Sequence, residues 1–158
     1  MKNTMYGMLY GAGAAKTAET SGVPLEEARS ARASILAAFS GLSRAMSTYE
    51  HHAREHGSVT TALGRELVVE PEVSYKGLNA AIQGSAADYF KRGLVWLAQA
   101  GLDEFMLLPV HDEVLFSMPP DVVDDARPEI ARAMLIDDLA VPVPADPSEP
   151  MKRWGDDT

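Results

Sequence analysis

Residues 105–110 and 113–118 form two apolar runs separated only by His111 and Asp112. A two-residue connection between runs of strand length leaves room for one arrangement, a tight antiparallel β-hairpin with His111 and Asp112 at its tip. The residues before it keep a helical period instead. Apolar residues recur at three- and four-residue steps from Leu25 through Ala28, Ala31, Ile35, Phe39, Leu42 and Met46 to Tyr49, which predicts a long amphipathic helix bent near Ser40-Gly41. Pro24 and two glutamates mark its start, and Gly57 its end. A first helix is expected to stop near Ala14-Ala15. Residues 59–63 and 66–69 read as a short hairpin around Gly64-Arg65, closed by Pro71. A second long helix runs from about Tyr75 to Gln99, through Leu78, Ile82, Ala86, Tyr89, Phe90, Leu94 and Leu97, and Gly101 stops it. Pro119-Pro120-Asp121 opens a last helix, to about Leu139, and residues 141–144 form a final strand or extended segment. Helices alternating with hairpins make this an α+β chain with antiparallel pairing.

At 158 residues and 46% hydrophobic, the chain can bury a domain-sized core. It has no cysteine, which excludes a disulfide framework, a thiolate metal site and a thiol nucleophile. No apolar run approaches the roughly 18 residues of a membrane span, and no signal-peptide core opens the chain. A net charge of −9 argues against a free-standing nucleic-acid binder. The charge is uneven, however. Residues 1–100 carry 10 basic and 9 acidic side chains, residues 101–158 carry 4 basic and 14 acidic. Any DNA-facing surface therefore belongs mainly to the first hundred residues.

Four constellations could carry chemistry. Asp112 at a rigid turn projects a carboxylate into open space, which suits a hard cation that takes oxygen ligands; equally, Asp is simply a favoured turn residue. Glu113 alternates to the other face of the strand. Lys2, Tyr6 and Tyr10 are four apart and share a helix face, one cation followed by two rings. The stripe suits a ligand with a phosphate and a ring, or else a half-buried interfacial helix. Asn79 and Gln83 lie on one face of the second long helix, followed by Gly84-Ser85-Ala86-Ala87. Their amides can reach minor-groove acceptors, or form a polar patch on a helix that packs through small residues. His52 and His56 at i, i+4 are compatible with two metal ligands on one helix face, but no third ligand is evident nearby, and solvated histidines near a helix end are the plainer reading.

Together these elements resemble the C-terminal part of the polymerase domain of the family A, DNA polymerase I-like DNA polymerases. The resemblance rests on the spacing Lys2…Tyr6-Gly…Tyr10-Gly and on Gly64-Arg65. It rests also on Asn79-Ala-Ala-Ile-Gln83-Gly-Ser-Ala-Ala-Asp88, on Val110-His111-Asp112-Glu113-Val114 and on the tail from Val141 to Trp154. It covers essentially the whole chain in order, and its fingers helix is nearest in character to phage-encoded members. It implies a right-hand polymerase portion, with residues 1–56 as partial fingers and residues 57–158 as palm. Lys2 would grip the incoming triphosphate. Tyr6 would lie beside its sugar and Tyr10 near the template base. Asn79 and Gln83 would read the minor groove of primer–template, with His111, Arg65 and Lys76 as further DNA contacts. Asp112 would be a metal-binding aspartate and Glu113 its supporting acid, so that Asp112, Glu113 and Lys2 form the expected catalytic set.

The implied reaction is template-directed addition of deoxynucleotides to a primer 3′ end with two Mg²⁺ ions. Its partners are primer–template DNA and deoxynucleoside triphosphates, in the cytoplasm of a bacterial cell or phage-infected host, without a membrane. The family's first palm motif, which carries the other metal-binding aspartate, is absent from the sequence, and so is the fingers Arg four residues before Lys2. Pro109 stands where many relatives have Gln. The chain is thus expected to be a C-terminal fragment or split subunit, inactive alone and completed by an N-terminal polymerase segment or chain. The alternative is a non-catalytic DNA-binding or assembly module derived from such a polymerase.

Overall fold

The computed structural model describes Gly7 and residues 12–153. Lys2, Tyr6, Tyr10 and Trp154, all named above, lie outside the described residues. The chain divides into two compact units, Met1–Ala86 and Ala87–Thr158.

In the N-terminal unit, α1 spans Ala14–Ser21. A helix was expected to stop at about Ala14; one starts there instead. Gly13 precedes it in an extended conformation, and the buried Thr17 returns its hydroxyl to the Gly13 carbonyl at 3.1 Å. Gly22, with φ 67°, closes the helix, its N–H bonded to the Ala18 carbonyl. The expected long helix is two helices, α2 at Leu25–Ala38 and α3 at Ser40–His56. The break falls at Phe39 (φ −117°, ψ 68°), one residue before the expected bend. Phe39 consequently leaves the apolar stripe and is 56% exposed.

Strands β1 (Ser58–Thr60) and β2 (Glu66–Val68) pair antiparallel, with Val59 opposite Leu67. The first strand is shorter than its apolar run because the turn claims Thr61, whose N–H and hydroxyl both engage the backbone of Arg65, while Gly64 takes φ 87°. The 3₁₀ segment Pro71–Lys76 then leads into α4, Gly77–Gln99. Ala53, Val59, Val69 and Ala81 form the core of this unit, with Tyr49, Leu67 and Val73 against it.

Gly77 marks a close approach of backbone to backbone in this unit. Its backbone is right-handed helical, yet a Cβ there would lie 2.6 Å from the Tyr49 carbonyl oxygen and 3.3 Å from the Ala53 Cβ. Gly→Ala in a helix normally gains up to about 1 kcal/mol, but overpacking against a backbone atom costs about 1–3 kcal/mol. Gly77→Ala is therefore expected to lower the unfolding midpoint in a urea titration. An unchanged or raised midpoint would show that α3 and α4 can move apart freely.

In the C-terminal unit, α4 ends at Gln99 and Gly101 (φ 76°) follows, as expected. A 3₁₀ turn, Asp103–Phe105, leads into β3 (Met106–Val110), which pairs with β4 (Glu113–Phe116). Helix α5 spans Pro120–Met134 and ends five residues before the expected Leu139. At Leu135 the backbone becomes extended, and Ile136 bonds back to Val143 in both directions, at 3.0 and 2.8 Å. The expected final strand is thus one isolated bridge. Leu97, Leu102 and Ala126 form the second core. Phe105 from the 3₁₀ turn, Met106, Val114 and Phe116 from the hairpin, and Val122, Ile130 and Met134 from α5, pack on it.

The return after α5 is fixed by a contact no local pattern announces. Arg92 on α4 donates two hydrogen bonds to Asp138, at 2.6 and 3.0 Å. Its guanidinium lies 4.4 Å from the ring centroids of both Tyr89 and Trp96. The hydrogen bonds from Arg92 hold the Asp138 carboxyl below the usual carboxylate range. Desolvation, reinforced by the Asp138 charge, raises the Tyr89 phenol.

The helices and two small antiparallel hairpins make the chain α+β, as expected. Among the described residues, no helix is long and apolar enough to cross a membrane.

Candidate functional site

The β3–β4 hairpin delivers what its sequence promised. Val110 faces Glu113 in the register, so only His111 and Asp112 form the loop. His111 has φ 56°, the one positive φ among the described non-glycine residues. Left-handed backbone is uncommon outside glycine, although His is among the residues enriched there, and such conformations concentrate at functional sites because the surrounding structure must hold them. Here the second core does so, through Val114 and Phe116 on one strand and Met106 on the other. The result is a rigid base under an exposed tip: His111, Asp112 and Glu113 are all exposed.

Asp112 offers the oxygen donors that a hard divalent cation takes. The donor type fits, but the number does not. Among the described residues, no group of three or more His, Cys, Asp or Glu side chains could hold a metal ion. By themselves, the described residues therefore do not make a complete metal site.

The expected DNA contacts of the N-terminal unit gather around the first half of α4. Asn79 is half-buried and Gln83 exposed, four residues apart on the helix. Ile82, expected in the core, is instead 48% exposed, because the buried face runs through Gly77, Leu78 and Ala81. Arg65 reaches the same helix, its guanidinium donating to the Gly84 carbonyl at 3.3 Å. Lys76 is exposed beside the Tyr75 ring, just before the helix begins.

The small residues after Gln83 divide their work. Gly84 faces inward, where a Cβ would strike the Leu67 and Thr61 side chains. Ser85 accepts from the Ala62 N–H at 2.8 Å and donates to the Ala81 carbonyl at 2.6 Å. These two seat α4 on the β1–β2 hairpin. Ala86 and Ala87 are exposed. Of the two readings the sequence left open for this stretch, packing of the helix through small residues holds for Gly84 and Ser85. Arg92, Asp138 and the Gly77 crossing were not foreseen. A glycine at the very start of a long apolar-periodic helix is the only signal that could have revealed the crossing.

Comparison with known proteins bears on the family of the chain. The family model described as DNA polymerase family A matches residues 1–156. The DNA polymerase of Mycobacterium phage D29 is 30% identical over 154 residues, covering 98% of this chain and 25% of the relative. DNA polymerase I of Pseudomonas aeruginosa is 32% identical over 151 residues, covering 84% of this chain and 16% of the relative. The chain thus spans a quarter or less of the length of these relatives. Among solved structures, the polymerase domain of Pol1 from M. smegmatis, in complex with DNA primer-template and dNTP, superposes with a TM-score of 0.77 at 29% identity, over 84% of this chain and 26% of that one. With a family model that matches residues 1–156 and an α+β fold shared with a solved polymerase domain, the chain belongs to DNA polymerase family A.

Proposed function

We propose that this chain is the fingers-to-palm portion of a DNA-directed DNA polymerase, with residues 1–56 in the fingers and residues 57–158 in the palm. The observation that carries the reading is the hairpin tip, where a left-handed His111 sets Asp112 on a rigid, exposed turn in a chain of family A. Asp112 would hold a divalent metal ion, with Glu113 supporting it. Two Mg²⁺ ions, when bound, supply charge neutralisation for phosphoryl transfer. The remaining donors come from a polymerase segment or chain outside the described residues. Lys2, a compact cation, would grip the triphosphate, and Tyr6 and Tyr10 would stack beside the incoming sugar and the template base. Asn79 and Gln83 would donate to minor-groove acceptors, which lie in similar places for all base pairs and so suit a reader indifferent to sequence. His111 would lie near the primer end, with Arg65 and Lys76 toward the backbone.

Binding of primer–template duplex, titrated with salt, tests this reading against an autonomous binding module. With net charge −9, the chain alone is expected to bind no tighter than about 10⁻⁵ M at physiological salt, the ordinary non-specific range. The assembled polymerase should bind more tightly. Saturable, tight binding by the isolated chain, with a steep salt dependence, would replace the polymerase-portion reading with the binding-module one.

A further inference from the structure

Near its C-terminal end α3 carries a cluster that the polymerase reading does not use. His52 and His56 are four residues apart, so they sit one above the other on the helix surface. Their ring centroids are 4.4 Å apart, with the planes tilted by 47°, and both side chains are exposed. His51 lies on the adjacent column, where its Nε2 is 3.3 Å from a Glu55 carboxylate oxygen. We propose that His52 and His56 form a two-imidazole chelate for a late first-row divalent cation of the Zn²⁺ class, with water in the remaining positions.

The argument is one of donor type and preorganisation. Imidazole nitrogen suits Zn²⁺, Ni²⁺ and Cu²⁺, whereas Mg²⁺ prefers oxygen. The site therefore selects a different cation from the one Asp112 suits. The helix already holds the two rings side by side, so a shared ion needs side-chain adjustment and no backbone movement. Two ligands from one helix leave the coordination sphere open, and the described residues supply no third. The site is thus an exposed, exchangeable one and not a structural zinc centre, which takes four protein ligands.

Calorimetric titration of the whole chain with Zn²⁺ tests the proposal. One ion per chain is expected to bind, and Mg²⁺ at millimolar concentration should leave the isotherm unchanged. Losing even a supporting partner of a metal ligand typically weakens binding about 10–100-fold. His52→Ala and His56→Ala should therefore each weaken Zn²⁺ binding by at least about tenfold, while His51→Ala leaves it intact. Alanine at these exposed helix positions favours the helix, and a circular dichroism spectrum confirms that each variant folds. A second readout is thermal: Zn²⁺ should raise the unfolding midpoint of the natural chain and not of the two variants. Absence of saturable binding, displacement by Mg²⁺, or equal loss in His51→Ala would overturn the proposal.

Discussion

Asp112→Asn in the assembled polymerase is expected to lower the rate of primer extension by at least about a thousandfold while leaving the protein folded. Asparagine keeps the size of aspartate and is equally at home in a turn, so the hairpin should survive. The position is exposed, and substitutions at such sites usually change stability by no more than about 0.5 kcal/mol. What disappears is one negative charge. A unit charge pair about 4 Å apart is worth about 4 kcal/mol at an effective dielectric of 20, which corresponds to about a thousandfold in rate. Because the loss lies in kcat, affinity for primer–template should change little. Glu113→Gln should cost much less, since Glu113 alternates to the other face of β4. Pre-steady-state extension of a labelled primer separates the two. Comparable losses in both variants would mean that the acids act as a general cation attractor rather than through Asp112.

Leu97→Ala carries the largest expected effect on stability. Leu97 is 0% exposed and forms the second core with Leu102 and Ala126. Removing a buried leucine costs about 2–5 kcal/mol, through lost transfer free energy and the cavity left behind. For a small unit each kilocalorie lowers the midpoint by about 4–8 °C. Val95→Ala, two positions earlier and 55% exposed, is the control and should fall within about 0.5 kcal/mol of the natural chain. Function should follow stability here. Phe105, Met106, Val114 and Phe116, which support the hairpin, pack on this same core, so in the assembled polymerase the variant should also extend primers more slowly below its unfolding transition. A Leu97→Ala midpoint within a degree of the control would mean that this core does not hold the hairpin.

Several parts of this arrangement were legible in the sequence because they are local. Two residues between apolar runs dictated the β3–β4 hairpin and its tip. Gly101 announced the end of α4, and Pro24 with Glu26 and Glu27 the start of α2. The misreadings have a common cause in contacts distant along the chain. The apolar period continues past Met134, but Arg92, 46 residues earlier, captures Asp138 and the segment turns back. Ile82 fits the helical stripe, yet the β1–β2 hairpin and α3 meet α4 on another face, through Gly84 and Gly77. The exception is local: a helix end was expected near Ala14-Ala15, and with Thr17 bonded to the Gly13 carbonyl a helix starts there. Of the site, Asp112, Glu113, Asn79 and Gln83 were visible as residue types at telling spacings. The proposed completion of the site by other donors is not encoded in periodicity at all.

The most direct measurement of the central claim is Mg²⁺-dependent primer extension by the purified chain, alone and mixed with a polymerase segment that carries the first palm motif. A two-ion centre holds its ions about 3.5–4 Å apart, and the described residues bring a single tip carboxylate with no three-ligand cluster around it. The chain alone should therefore extend nothing above background. The mixture should extend the primer, and Asp112→Asn in this chain should abolish that gain. Templated extension by the isolated chain would contradict the claim that its hairpin supplies only part of the catalytic centre.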